Sequence, residues 1–213
     1  MGDGKQRIVV AGAGGHAKVV IEALWAMGAF EVVGLTDPST SCLELLGVPV
    51  LGGDELLPSL LAQGVASAVV AIGSNRLRQQ IGQRLLRLGF VLPVVVHPSA
   101  LISPSATIGQ GTVVMARAVV GTLARVGELV IINTCAIVEH DNNIGHAAHI
   151  APGTALAGGV RVGDRALLGI GSAVRPDISI GDDSIVGAGS AVVTDVPSGF
   201  TVAGTPARKL SSR

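Results

Sequence analysis

The 213-residue chain has room for a sizeable core, in one large domain or two small ones. Its 15 Lys plus Arg balance its 15 Asp plus Glu, so no charge excess recruits nucleic acid or an anionic membrane. Trp25, Phe30, Phe90 and Phe200 are the only aromatics, too few for the stacking platforms of a single-strand binder, and no uninterrupted apolar run approaches the roughly 20 residues of a spanning helix. Two cysteines, Cys42 and Cys135, cannot build a multi-bridge framework, and no charged segment followed by an apolar one opens the chain, so a soluble, cytosolic protein is expected.

The first half reads as alternating strand and helix. RIVVAGAGG is a β-branched run ending in glycines, and HAKVVIEALWAMG carries apolar residues at helical spacing until Gly28 stops it. EVVGLTDP is a second strand, ending at Asp37-Pro38. DELLPSLLAQG and ASAVVAIGSN give a further helix and strand, and RLRQQIGQRLLRLG a helix whose arginines and glutamines lie opposite its leucines. This order predicts a parallel sheet with right-handed crossovers, a small Rossmann-like domain over residues 1–97. Gly12, Gly14 and Ala17 satisfy the loose dinucleotide pattern and Asp37 stands where a ribose-binding acid would, which keeps a nicotinamide enzyme in play. A glycine loop before a helix N-terminus holds any phosphate, however, because its bare amides and the helix dipole favour negative charge.

From Ile102 the period changes to six. Ile102, Ile108, Val114, Val120, Val126, Ile132, Val138 and Ile144 continue without a miss through Ile150, Leu156, Val162, Leu168, Val174, Ile180, Val186 and Val192. Glycine often follows the aliphatic, and a small residue often stands four after it. A coil of three short flat faces explains this, with the aliphatic pointing inward, small residues filling the interior and glycine taking the turn at positive φ. Three hexads make one coil, which predicts a β-helix of about five coils, roughly 25 Å tall, over residues 98–213. The repeats alone do not give its hand. They also count against the nicotinamide reading, since such an enzyme has no need of them.

In VEHDNNIGHAAH, residues 138–149, three histidines fall at different offsets of the coil. They therefore point in different directions and make a poor metal site, so none is expected. His146 reads as a surface histidine. His140 lies between Glu139 and Asp141, and a histidine oriented by a carboxylate is the usual general base near neutral pH; which acid orients it is open. Gly158, at the same place one coil on, should leave a slot beside His140, and its N–H is a candidate oxyanion donor. Cys135 reads as a small interior residue of the NTCA hexad rather than a nucleophile.

VVAGAGGHAKVV, NTCAIVEHD, the hexad array and FTVAGTPARKL together resemble the hexapeptide-repeat acyltransferases, over essentially the whole chain. More narrowly, they resemble the bacterial nucleotide-sugar N-acetyltransferases that act on a 4-amino sugar, with their sialic acid O-acetyltransferase relatives. The resemblance implies a left-handed β-helix, a homotrimer with the cofactor between neighbouring subunits, and acetyl-CoA as co-substrate. It implies His140 as the base and Asp141 as its orienting carboxylate, where the family commonly carries Glu. By the same matching Asn133 contacts the sugar, and His149, Gly158, Ile170 and Ala188 contact acetyl-CoA. The glycine loop, with Gly12, Gly14 and Gly15, would hold the diphosphate of the sugar nucleotide, assisted by His16 and Lys18. Asp37 would lie near the nucleoside, and IGSNR could add Ser74 and Asn75. The expected activity is acetylation of a UDP- or GDP-linked 4-amino-4,6-dideoxy sugar, in surface polysaccharide or glycan synthesis. O-acetylation of a free sugar and a non-catalytic sugar-nucleotide scaffold are the alternatives.

Overall fold

The structure, a computed structural model, describes residues 4–210. The chain divides between Pro98 and Ser99 into two compact units.

The first unit is built on a sheet of β1 (Gln6–Ala11), β2 (Phe30–Thr36), β3 (Glu44–Leu45), β4 (Val48–Gly52) and β5 (Ser67–Val70), in the order β3-β4-β2-β1-β5. Every pairing is parallel except the β3–β4 hairpin, which the sequence reading did not anticipate. The helices are α1 (Gly15–Met27), α2 (Leu57–Ala62), preceded by a 3₁₀ turn at Asp54–Leu56, and α3 (Asn75–Leu88). Parallel strands covered on both faces lose the alternation of a half-wet strand, which is why Ile8, Val9 and Val10 are all buried, as is the whole of β5. Gly28 and Gly89 end α1 and α3 in the left-handed conformation, with φ of 71° and 97°.

The second unit is a left-handed parallel β-helix. Two-residue strands pair with their counterparts one coil before and one coil after, as in Val119↔Ile137 and Ile137↔Ala155. They form three faces, which carry Leu101–Ile102, Thr107–Ile108 and Val113–Val114 respectively and repeat up the stack. Hexad aliphatics from Val114 to Val192 are buried, and Ala118, Ala136, Ala148, Ala166, Ser172 and Ser190 fill the interior between them.

The turn chemistry differs from the expected one. Left-handed φ falls three residues after the aliphatic, at every such position from Gly111 to Gly189, and nine of these fourteen are not glycine, among them Arg117, Cys135, Asp141 and Asp183. The glycines directly after the aliphatic serve close approach instead. A Cβ on Gly121 would stand 2.8 Å from the backbone of Glu139 and His140 in the next coil, and one on Gly127 3.0 Å from that of Gly145 and His146. Cys135 is likewise not interior: it sits exposed on a turn with φ of 57°, and its neighbour Ala136 fills the core.

Candidate functional site

In the first unit a cavity of about 670 Å³ opens at the C-terminal ends of the strands, where doubly wound sheets bind ligands. Gly12, Gly14, Gly15, His16 and Asp37 are among the residues that line it. Asp37 holds the loop in shape, its Oδ2 accepting from the Ala13 N–H at 2.9 Å and its Oδ1 from the N–H and hydroxyl of Ser39. Burial opposes ionisation of this carboxyl, but the hydrogen bonds from Ser39, Ala13 and Thr40 outweigh it and hold it below the ordinary range. Gly12 lies so close to the end of β5 that a Cβ there would meet Ile72 Cγ1 at 2.9 Å and the Ala71 oxygen at 3.0 Å.

Lys18 is exposed on α1, and Lys18, Ser74 and Asn75 are not among the residues that line the cavity. Asn75 instead accepts from Arg78 Nη2 at 2.9 Å. Arg78 was not singled out from the sequence, where it reads as part of the polar face of α3; it is 1% exposed and donates Nη1 to the carbonyls of Ile72 and Gly73, fastening the loop after β5. Burial lowers its pKa to about 10. Burial and then the nearby Arg78 charge lower His16 to about 4, so its imidazole is neutral at pH 7, and its buried Nε2 has no hydrogen-bond partner among the described residues. An orphaned ring nitrogen on the wall of a cavity is a position from which a ligand can be met. Thr36, Asp54, Leu77, Gln80, Arg84 and Arg87 also line the cavity, and none of them carries a motif by which sequence could have marked it.

In the second unit His140 sits on a turn with its side chain 61% exposed. Asp141 Oδ2 lies 2.8 Å from its Nδ1, whereas Glu139 accepts from the His140 backbone N–H at 3.3 Å. Asp141 is therefore the carboxylate on the ring. This pairing assigns the proton to Nδ1 and leaves Nε2 as the open acceptor. The hydrogen bond that His140 donates to Asp141 raises the pKa of His140 above its ordinary value, against a smaller desolvation effect, and the charges of Asp141, Glu139 and Asp177 add to it. The ring lies over Gly158: a Cβ there would overlap its Cε1 and Nε2. The expected empty slot is thus occupied by the imidazole itself. Among the described residues no backbone carbonyl accepts from the Gly158 N–H, while the Gly158 carbonyl accepts from the Asp177 N–H.

Asn133 Nδ2 and His149 Nε2 lie 3.1 Å apart on the face that carries Ile131–Ile132 and His149–Ile150. Ile170, 61% exposed, and Ala188 stand one coil apart on the turns that leave this face. His140 and Gly158 lie on the turns that leave the next face. Within one chain the implied residues therefore form two groups on different edges. Among the described residues no three His, Cys, Asp or Glu side chains group as a metal site.

Residues 7–85 match the PglD N-terminal domain. The chain is similar to UDP-N-acetylbacillosamine N-acetyltransferase of Bacillus subtilis, with 39% identity over 118 residues, about half the length of each protein (52%). The crystal structure of PerB from Caulobacter crescentus, in complex with CoA and GDP-perosamine, superposes with a TM-score of 0.93 at 47% identity, covering 99% of both chains. The chain belongs to the NeuD/PglD-like family. Another NeuD/PglD-like structure, the acetyltransferase domain of PglB from Neisseria gonorrhoeae in complex with acetyl coenzyme A, superposes with a TM-score of 0.93 at 42% identity, over 97% of this chain and 100% of that one.

Proposed function

We propose that the protein transfers the acetyl group of acetyl-CoA to the amine of a nucleotide-linked 4-amino-4,6-dideoxy sugar, with His140 as general base and no acyl-enzyme. The observation that carries this reading is the His140 imidazole, tied at Nδ1 by Asp141, exposed, raised in basicity and open at Nε2. As the sugar nitrogen attacks the thioester carbon, its proton passes to Nε2. The new C–N bond forms and the carbonyl pair moves onto oxygen, toward a donor such as the Gly158 N–H. Collapse breaks the C–S bond, and the departing thiolate takes the proton back from the imidazolium. The two families of substrate named for the relatives, a UDP-linked and a GDP-linked amino sugar acted on by N-acetyltransferases, are the acceptors this chemistry fits.

Asn133, His149, Ile170 and Ala188 are assigned to the sugar and CoA side of the site, and the glycine loop with His16 and Asp37 to the diphosphate and nucleoside. Within the β-helix, the separation of Asn133, His149, Ile170 and Ala188 from His140 supports a homotrimer, in which the His140 edge of one β-helix faces the His149 face of its neighbour. The working compartment we assign is the cytosol, where acetyl-CoA is supplied; no helix among the described residues is long and apolar enough to cross a membrane.

The test is release of CoA thiol from acetyl-CoA with a UDP-linked and a GDP-linked 4-amino-4,6-dideoxy sugar and with free sialic acid, using the wild type and His140→Ala. Rapid release with one nucleotide amino sugar, lost in the variant, is the expected result. Release with sialic acid alone would replace the amine by a hydroxyl acceptor. Silence with all three, while a nucleotide sugar still binds, would make the protein a binding scaffold.

A further inference from the structure

The cavity of the first unit has a chemical polarity along the sheet. The glycine loop follows β1, Asp37 follows β2, and Asp54 follows β4, the next strand outward. In a doubly wound sheet the diphosphate sits on the first loop and the ribose by the acid after the second strand, so the base extends further in the same direction. Here that direction leads to Asp54. Its side chain is only 14% exposed, yet it lines the cavity; Oδ2 accepts from Arg84 Nη1 at 3.0 Å and Oδ1 faces the buried Thr36 hydroxyl at 3.4 Å.

Resting on the nucleotide-sugar reading, we propose that the base is guanine and that Asp54 is the residue that selects it. Each carboxylate oxygen has lone pairs to spare beyond its present neighbour. Two acceptors side by side require two donors side by side, and among the common bases only guanine offers them, in N1–H and the N2 amine. Uracil presents one N–H flanked by two carbonyls, so one Asp54 oxygen would face an oxygen. Adenine and cytosine each set a ring acceptor beside their amine and meet the same repulsion. Arg84, paired with Asp54 in the same wall, places a cation next to the acceptor edge of guanine formed by O6 and N7, the pattern arginine reads in nucleic acids. A site built around such a hydrogen-bonding pair rejects a ligand that lacks the partner, because its own groups are left unpaired.

Calorimetric titration of the protein with GDP, IDP and UDP tests this without any substitution, since IDP differs from GDP only by the N2 amine. GDP should bind about tenfold or more tightly than either of the others. In Asp54→Asn, GDP should weaken by about tenfold and become equal to IDP, with UDP little changed. The KM for acetyl-CoA and the melting temperature serve as folding controls. Equal or tighter binding of UDP by the wild type would overturn the assignment, as would a loss in Asp54→Asn that falls alike on GDP and UDP, and either result would leave the nucleotide-sugar reading standing. Binding of none of the three would remove that reading and the guanine assignment with it.

Discussion

His140 and His146 occupy the same place in consecutive repeats, two residues after the buried Val138 and Ile144. On the edge that carries His146, each coil is tied to the next through a side chain. The Glu128 N–H donates to His146 Nδ1, the His146 N–H to Asp164, the Asp164 N–H to Asp182 and the Asp182 N–H to Ser198, at 2.8 to 3.1 Å. On the edge that carries His140 the positions above it are Gly158 and Pro176, neither of which has a side chain that can cap an N–H. The ladder is broken there. Glu139, from the same coil, takes up the His140 N–H, and Asp141 engages the ring. The two rings consequently hold opposite tautomers: His146 accepts at Nδ1 and carries its proton on Nε2, while His140 donates at Nδ1 and keeps Nε2 open. The difference lies in the residue one coil above and the residue next in sequence, not in the histidines. Without a ladder partner one coil above, the His140 ring pairs with the carboxylate next to it in sequence.

The largest effect that would break this comparison is the loss of each ring in turn. His140→Ala should lower kcat by 10²- to 10⁴-fold with an unchanged far-ultraviolet circular dichroism spectrum, the range for removal of a positioned base. His146→Ala should leave kcat within about twofold and lower the melting temperature slightly, through loss of its hydrogen bond to the Glu128 N–H. Comparable losses of activity in both would show that the open nitrogen of His140 is not what distinguishes them.

Next in size are the residues one coil above each histidine. Gly158→Ala would drive a methyl group into the imidazole and displace it, and a base moved by about 1 Å costs on the order of 10²-fold in kcat. Asp164→Ala removes the partner of the His146 N–H and should cost about 1 kcal/mol of stability, read from chemical denaturation, with activity retained. Exchange of these two outcomes would mean that the His146 edge carries the chemistry.

The two units were legible in the sequence to different degrees. A period of six sustained over sixteen aliphatics dictates a coil interior, because one inward residue per face is a steric necessity, and each turn could be numbered before the fold was seen. What the repeat hid was which turn position bears the strain. Glycine abundance pointed to the residue after the aliphatic, where the constraint is contact with the neighbouring coil, while left-handed φ falls two residues later on Arg, Leu, Cys and Asp as well as Gly. In the first unit the glycine loop and Asp37 were visible because their roles are local in sequence. Arg78 was not, since its partners Ile72 and Gly73 are backbone carbonyls, which leave no trace in a sequence pattern. Asp54 and Arg84 are separated in the chain by a helix, a strand and most of another helix, and could be paired only in three dimensions.

Asp141→Asn sharpens the comparison at intermediate scale. Asparagine tolerates the φ of 60° at this turn, so the fold should be preserved where Ala would cost about 1 kcal/mol. The base remains, but the hydrogen bond that raises its pKa is weakened. Because a raised pKa keeps a histidine protonated to higher pH, the acid limb of kcat/KM in the wild type should have its midpoint above 6.5. In the variant the limb should move down, with kcat falling about tenfold through lost orientation. A limb that stays in place would detach Asp141 from the catalytic titration.

The smallest expected effect separates the two acids that flank the base. Glu139 contributes to the raised pKa of His140 only through its charge, after the Asp141 hydrogen bond and the Asp141 charge, and it bonds the backbone rather than the ring. Glu139→Gln keeps an acceptor for the His140 N–H and removes that charge. The acid limb should therefore move down by less than in Asp141→Asn, and less still at high salt, where charges on exposed groups are screened while a hydrogen bond at 2.8 Å is not. kcat on the plateau should be unchanged, because the ring keeps its partner. If Glu139→Gln instead lowers the plateau as far as Asp141→Asn does, the acids act as a pair on the ring during turnover, and the division between a backbone carboxylate and a ring carboxylate holds only before substrate binds.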